Sequence, residues 1–139
     1  MTRLLQATLL IAAPPKQAWR ALLDFPSRER HSRRVQQVDL IGEGPLRVGS
    51  RFKLKVDGRT LMPEVAEMME LQRLALRITA PGMSIDHVYE LRAIGGDTSV
   101  TIVGRYGGVF GSVMGKLMPR SFLRDLEDEL AAIKSAAEI

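Results

Sequence analysis

The chain has no cysteine and only two histidines, His31 and His87. That excludes disulfides, a thiol nucleophile and a thiolate metal site, and leaves too few nitrogen ligands for a structural zinc centre. Aromatic residues make up only 5% of the sequence, with one tryptophan. Stacking of single-stranded bases therefore has little to work with, and no nucleic acid partner is expected. No apolar run reaches the length of a membrane span. What the 139 residues do have is an ordinary balance, 45% apolar and 26% charged. This suits one domain, residues 1–139, whose core buries roughly two-thirds of the unfolded surface. The net charge of +4 leaves anionic partners open without requiring one. No metal or cofactor is expected.

The apolar run Leu4 to Ala13 after Arg3 superficially resembles a leader. Gln6 and Thr8 interrupt it and Pro14 would hinder cleavage, so it reads instead as a first strand, Arg3 to Ile11, of a cytoplasmic protein. Pro14-Pro15 opens a helix over Lys16 to Leu23, with Ala18, Trp19, Leu22 and Leu23 on one side. A short helix or loop covers Ser27 to Arg33. Strands follow over Val35–Ile41, Arg51–Val56, Arg59–Glu70, Leu74–Thr79, Ser84–Ala93 and Ser99–Tyr106. They are punctuated by Gly42-Glu43-Gly44-Pro45, Asp57-Gly58, Pro81-Gly82 and Gly95-Gly96-Asp97. With no crossover helices between strands, the sheet should be antiparallel with helices on one face, an α+β arrangement.

The C-terminal stretch from Gly108 onward reads as one long helix interrupted by Pro119. Its apolar stripe is Phe122, Leu123, Leu126, Leu130, Ile133 and Ala137. Carried back at about 100° per residue, the stripe lands on Gly108, Gly111, Ser112 and Gly115. A face that is bulky at one end and bare at the other implies unfilled volume beneath the glycines, read here as a ligand cavity.

Particular residues resemble a known superfamily. Ala12-Ala13-Pro14-Pro15 before Trp19, Leu22-Leu23-Asp24-Phe25, Gly42 to Leu46 and Val48 to Phe52 are similar to the START-like, or SRPBCC, pattern. Glu67 to Leu74, Tyr89-Glu90-Leu91, Gly95 to Thr98 and Leu130 to Glu138 continue it, most nearly in the polyketide cyclase/dehydrase-like branch. The resemblance implies a helix-grip fold, a curved seven-stranded antiparallel sheet around the C-terminal helix with two short helices and an apolar cavity between. It does not imply one function, since the superfamily includes cyclases, lipid carriers, hormone receptors and co-chaperone domains. Where many members carry an aromatic residue and a proline after the second helix, this chain has His31, Ser32 and Arg33.

Strand alternation directs Ile85, His87 and Tyr89 inward, with Phe52, Leu54, Leu76, Ile78 and Ile102 on the same face. These residues, with Gly108, Gly111 and Gly115, form the candidate ligand-binding set. His87 and Tyr89 are the candidate catalytic groups, able to polarise a ligand carbonyl or move a proton. The plainer reading is that they orient a ligand or satisfy each other, because no second inward titratable group is evidently paired with them. Arg28, Arg30, His31, Arg33 and Arg34 read as a solvated basic run at the cavity mouth. The methionines suit a permissive pocket or an ordinary core alike.

Two functions follow. One is a binder or carrier of a small hydrophobic molecule: lipid, aromatic polyketide-like or isoprenoid. The other is a cyclase/aromatase-type enzyme using His87 and Tyr89. A co-chaperone-like protein-binding module is a third. If the glycines face inward, Val109, Phe110, Val113, Met114 and Leu117 face outward, as a contact for an anionic membrane or a homodimer. A phase reset at Pro119 would instead turn them into the core.

Overall fold

The structure, a computed structural model, describes residues 3–139. Strand β1 (Arg3–Ile11) leads into α1 (Pro15–Leu23), a 3-10 turn over Phe25–Ser27 and a one-turn α2 (Arg28–His31). Seven strands follow: β2 (Val35–Ile41), β3 (Arg51–Val56), β4 (Arg59–Leu61), β5 (Glu64–Met69), β6 (Arg73–Ala80), β7 (Met83–Ile94) and β8 (Asp97–Gly107). Two helices close the chain, α3 (Gly108–Leu117) and α4 (Pro119–Ala137). The main sheet runs β1-β8-β7-β6-β5-β3-β2, antiparallel throughout, with β4 added beside β3.

Two elements expected to be continuous are broken, each at a proline. The strand expected over Arg59–Glu70 divides into β4 and β5 around Met62-Pro63, because proline has no N–H to give a ladder. A bulge between Val65 and Glu67 then brings both Glu64 and Glu67 to the convex face, where they meet Arg51 and Arg73. The long C-terminal helix is two helices, with Met118 at φ −128° and ψ 48° between them. Pro119 starts α4 rather than kinking its interior, since its missing N–H costs nothing in a first turn.

Chain alternation and helical spacing meet in one core. Ile11, Leu22, Phe52, Leu74, Ile102, Leu126, Leu130 and Ile133 are all fully buried, and Trp19 anchors α1 against them. Helix α4 lies along β1 and packs on α1 and β8. The Asp57-Gly58 turn has φ of 50° and 79°, the left-handed pair that a tight hairpin requires.

Candidate functional site

The concave face of the sheet is set by register. His87 lies between Leu76 of β6 and Gly104 of β8, and Tyr89 between Leu74 and Ile102. Phe52, Leu76, Ile78 and Ile102 are buried on that face, whereas Leu54, Ile85 and His87 remain half-exposed although they point the same way. Because α4 rests on the β1 side, the β3 to β7 side of the concavity is less covered.

The partner of Tyr89 is a residue that periodicity assigned to neither face. Glu129 of α4 accepts from the Tyr89 hydroxyl at 2.6 Å through Oε2 and from Arg28 Nε at 2.9 Å through Oε1. Tyr89 therefore has an inward titratable partner, contrary to the expectation that none would be paired with it. Arg28 is not part of a solvated basic face either. It is 1% exposed, stacks 4.7 Å over the Phe25 ring, and donates to Ala21 O and Leu22 O at 2.8 Å and to Asp24 O at 3.3 Å. Two of these are last-turn carbonyls of α1, which no helical N–H can reach. The one guanidinium thus caps α1 and neutralises a carboxylate of α4.

The rest of the basic run divides. Arg30 and Arg33 are exposed. Arg34 bridges Asp57 at 2.8 Å and Asp125 of α4 at 3.3 Å. His31 bonds Ser135 at 2.8 Å, so it ties α2 to α4.

Around His87 the geometry is different. Its ring meets Tyr106 edge-on with centroids 6.2 Å apart, and Tyr106 stacks flat on Phe122 of α4 at 4.4 Å. Gly104 permits this, since a Cβ there would lie 2.7 Å from the Tyr106 hydroxyl. Among the described residues neither His87 nor the Tyr106 hydroxyl makes a hydrogen bond. Burial lowers the His87 pKa, against the pull of Glu129 and Asp86, so the ring is neutral at pH 7. Burial raises the Tyr106 phenol, and burial together with Glu129 raises Tyr89. For Glu129, burial alone would raise the pKa, but the Arg28 charge and the bonds from Tyr89 and Arg28 outweigh it and lower it. At the rim, burial raises the Asp125 carboxyl more than Arg34 lowers it.

The glycines of α3 do a different task from the one expected. A Cβ on Gly108, at φ 79°, would lie 2.7 Å from Gly82 O, and one on Gly111 would lie 3.4 Å from Met83 Cγ and 3.7 Å from the Tyr106 backbone. The bare face is pressed onto the sheet, so there is close contact where open volume was expected. Gly115 lies in the same helix, but its packing is outside the described residues. Two surface recesses occur elsewhere. One of about 470 Å³ lies beneath the β2–β3 loop, beside Leu40, Ile41, Val48 and Met62. The other, of about 580 Å³, is on the convex face near Gln6, Thr8, Arg92 and Thr101. Neither includes His87 or Tyr89. Among the described residues no cluster of acidic and histidine side chains could hold a metal ion, and no helix is long and apolar enough to cross a membrane.

The family model described as polyketide cyclase/dehydrase and lipid transport matches residues 3–138. The chain belongs to that family. Solved structures agree on the helix-grip fold. The superposition on a hypothetical protein of Helicobacter pylori has a TM-score of 0.84 at 16% identity, covering 97% of this chain and 88% of that one. The Zhui aromatase/cyclase from Streptomyces sp. R1128 gives 0.76 at 17% identity, covering 99% and 94%. The major latex-like protein 151 of Panax ginseng gives 0.77 at 19%, covering 96% of each chain. No curated protein matches the sequence. Within the family fold, the groups missed by sequence reasoning are Arg28, Tyr106, Gly104 and Glu129. Only Glu129 carried a signal. It falls seven residues after Phe122, about 20° from that side chain's direction, so a carboxylate borders the edge of the apolar stripe.

Proposed function

We propose that this polyketide cyclase/dehydrase-family chain binds a small hydrophobic molecule, a lipid, aromatic polyketide-like compound or isoprenoid, between the concave sheet and α4. The observation that supports it is the contrast among the inward polar groups. Arg28, Glu129 and Tyr89 saturate one another, whereas His87 and the Tyr106 hydroxyl lack protein partners among the described residues. Neither is among the buried side-chain atoms left without a partner, so both are open to hydrogen-bond a bound molecule carrying a carbonyl or hydroxyl. The half-exposed inward side chains Leu54 and Ile85 supply apolar lining beside them, with Phe52, Leu76, Ile78 and Ile102 behind. Entry would part the Tyr106–Phe122 stack, the aromatic contact that joins sheet to helix over His87. Mass spectrometry of molecules that co-purify, with dye displacement by the compounds found, tests this reading. His87→Leu should change which compounds are retained; the same set at the same affinity in parent and variant would refute the role of His87.

A second reading, a cyclase/aromatase-type enzyme, is supported by the neutral imidazole beside a phenol. In that case the pair would be His87 and Tyr106, since the Tyr89 proton is held by Glu129. Turnover of a poly-β-keto thioester that falls roughly a hundredfold in His87→Gln would favour it.

A further inference from the structure

We propose that α3 is a docking face for an anionic lipid surface. Val109 is 75%, Phe110 62%, Val113 48% and Leu117 70% exposed, and Met118 at the helix break is 46% exposed. On a helix these four α3 positions fall within about 100° of arc, opposite Gly108 and Gly111. Met114, expected with them, is half-buried at the edge of the arc. The arrangement is rigid because Gly108 and Gly111 seat the helix on β7 and Phe110 N–H donates to Gly82 O at 2.8 Å. The helix therefore presents its apolar side by construction, and large apolar side chains grouped on one exposed face mark a contact.

The charges around it choose the occupant. Helix α3 contains no acidic residue. Lys116 in the last turn of α3 and Arg120 and Arg124 in the first turns of α4 are exposed, and neither Lys116 nor Arg120 makes an ion pair among the described residues. A second copy docked by two-fold symmetry would set these cations against themselves. An anionic leaflet accepts the apolar side in its acyl boundary and the cations among its headgroups. The sign and the hydrophobicity point to the same partner.

The full chain is sedimented with vesicles of phosphatidylcholine alone and of phosphatidylcholine with one-third phosphatidylserine. Binding to the second only is expected, falling roughly tenfold or more as salt rises from about 0.05 to 0.5 M. Val113→Ser with Leu117→Ser, both solvent-facing, should abolish it, and Lys116→Gln with Arg120→Gln should weaken it severalfold, each with the parental melting temperature. No binding to the phosphatidylserine vesicles overturns the proposal, as does binding that the serine pair leaves unchanged. A dimer in light scattering that the serine pair dissociates would assign the face to a second copy and equally overturn it. If the serine pair unfolds the domain, the glutamine pair and the salt dependence decide by themselves.

Discussion

Glu129→Leu is the sharpest probe of the buried network. Among the described residues it removes the only carboxylate on Arg28, which is 1% exposed, and the only acceptor of the Tyr89 hydroxyl. Orphaning a buried charge costs about 3–5 kcal/mol. Arg28 keeps three backbone carbonyls, so the low end, about 3 kcal/mol, applies. The stranded Tyr89 hydroxyl adds about 1–2 kcal/mol, and the leucine returns about 1 kcal/mol through burial. The net loss is about 3–4 kcal/mol, or a fall of roughly 10–15 °C in Tm for a domain of this size. Thermal and urea unfolding at pH 7 measure it. Adding Arg28→Met should recover part of the loss, because an apolar pair tolerates burial better than a lone guanidinium. Recovery should be incomplete, since Ala21 O and Leu22 O lose their donor. The pH dependence has a fixed sign. The Glu129 carboxyl is lowered from 4.5 in the folded chain, so its contribution is complete above about pH 4.5 and lost as pH falls through the lowered value. Glu129→Leu should therefore show a shallower acid transition than the parent. A loss below about 1 kcal/mol at pH 7 would refute the pairing and its burial.

Three further outcomes are expected. The His87 pKa lies below 6.5 when folded, so stability should decline as pH drops below about 6.5, where the unfolded chain protonates first, and His87→Gln should flatten that decline; equal urea midpoints in parent and variant across pH 7.5 to 5.5 would contradict it. Gly111→Ala should be tolerated within about 1 kcal/mol because its Cβ meets only ordinary contacts, whereas Gly108→Ala should cost more than about 1 kcal/mol through its positive φ and Gly82 O; melts that rank the two the other way would show that α3 is not seated as described. Arg28 and Arg34 are both already paired with carboxylates, so a methyl ester should bind at least about tenfold tighter than its free fatty acid at pH 7.5; equal affinity in dye displacement would reveal an uncommitted cation.

Much of the sheet was legible because period-two alternation survives intact in β3, β7 and β8, which set Phe52, His87, Tyr89 and Ile102 on one face. The Asp57-Gly58 and Pro81-Gly82 turns fixed where those strands reverse. The polar interior was less legible, for reasons that differ by residue. Arg28 stands in a run of like residues, and nothing local distinguishes the one that turns inward to cap α1. Tyr106 reaches His87 only because Gly104, two residues earlier on the same strand, has no side chain to obstruct it. The glycines of α3 were a true signal with two physical meanings, empty volume or close approach. Only the tertiary arrangement, which brings Gly82 beneath Gly108, separates them. Pro119 was equally double-valued, because a proline that kinks a helix and one that begins a helix are the same letter.

The pairing of β1 with β8 has a consequence in time. Arg3 aligns with Tyr106 and Ile11 with Thr98, so the first strand waits for a partner roughly 90–100 residues downstream. At about 5–20 residues per second of synthesis, that wait lasts on the order of 5–20 seconds. During it the core-facing Leu5, Leu9 and Ile11 have neither a neighbouring strand nor α4 to cover them. The nascent chain is most adhesive before β8 emerges, and a ribosome stalled short of Thr98 would display that strand to chaperones or to other copies.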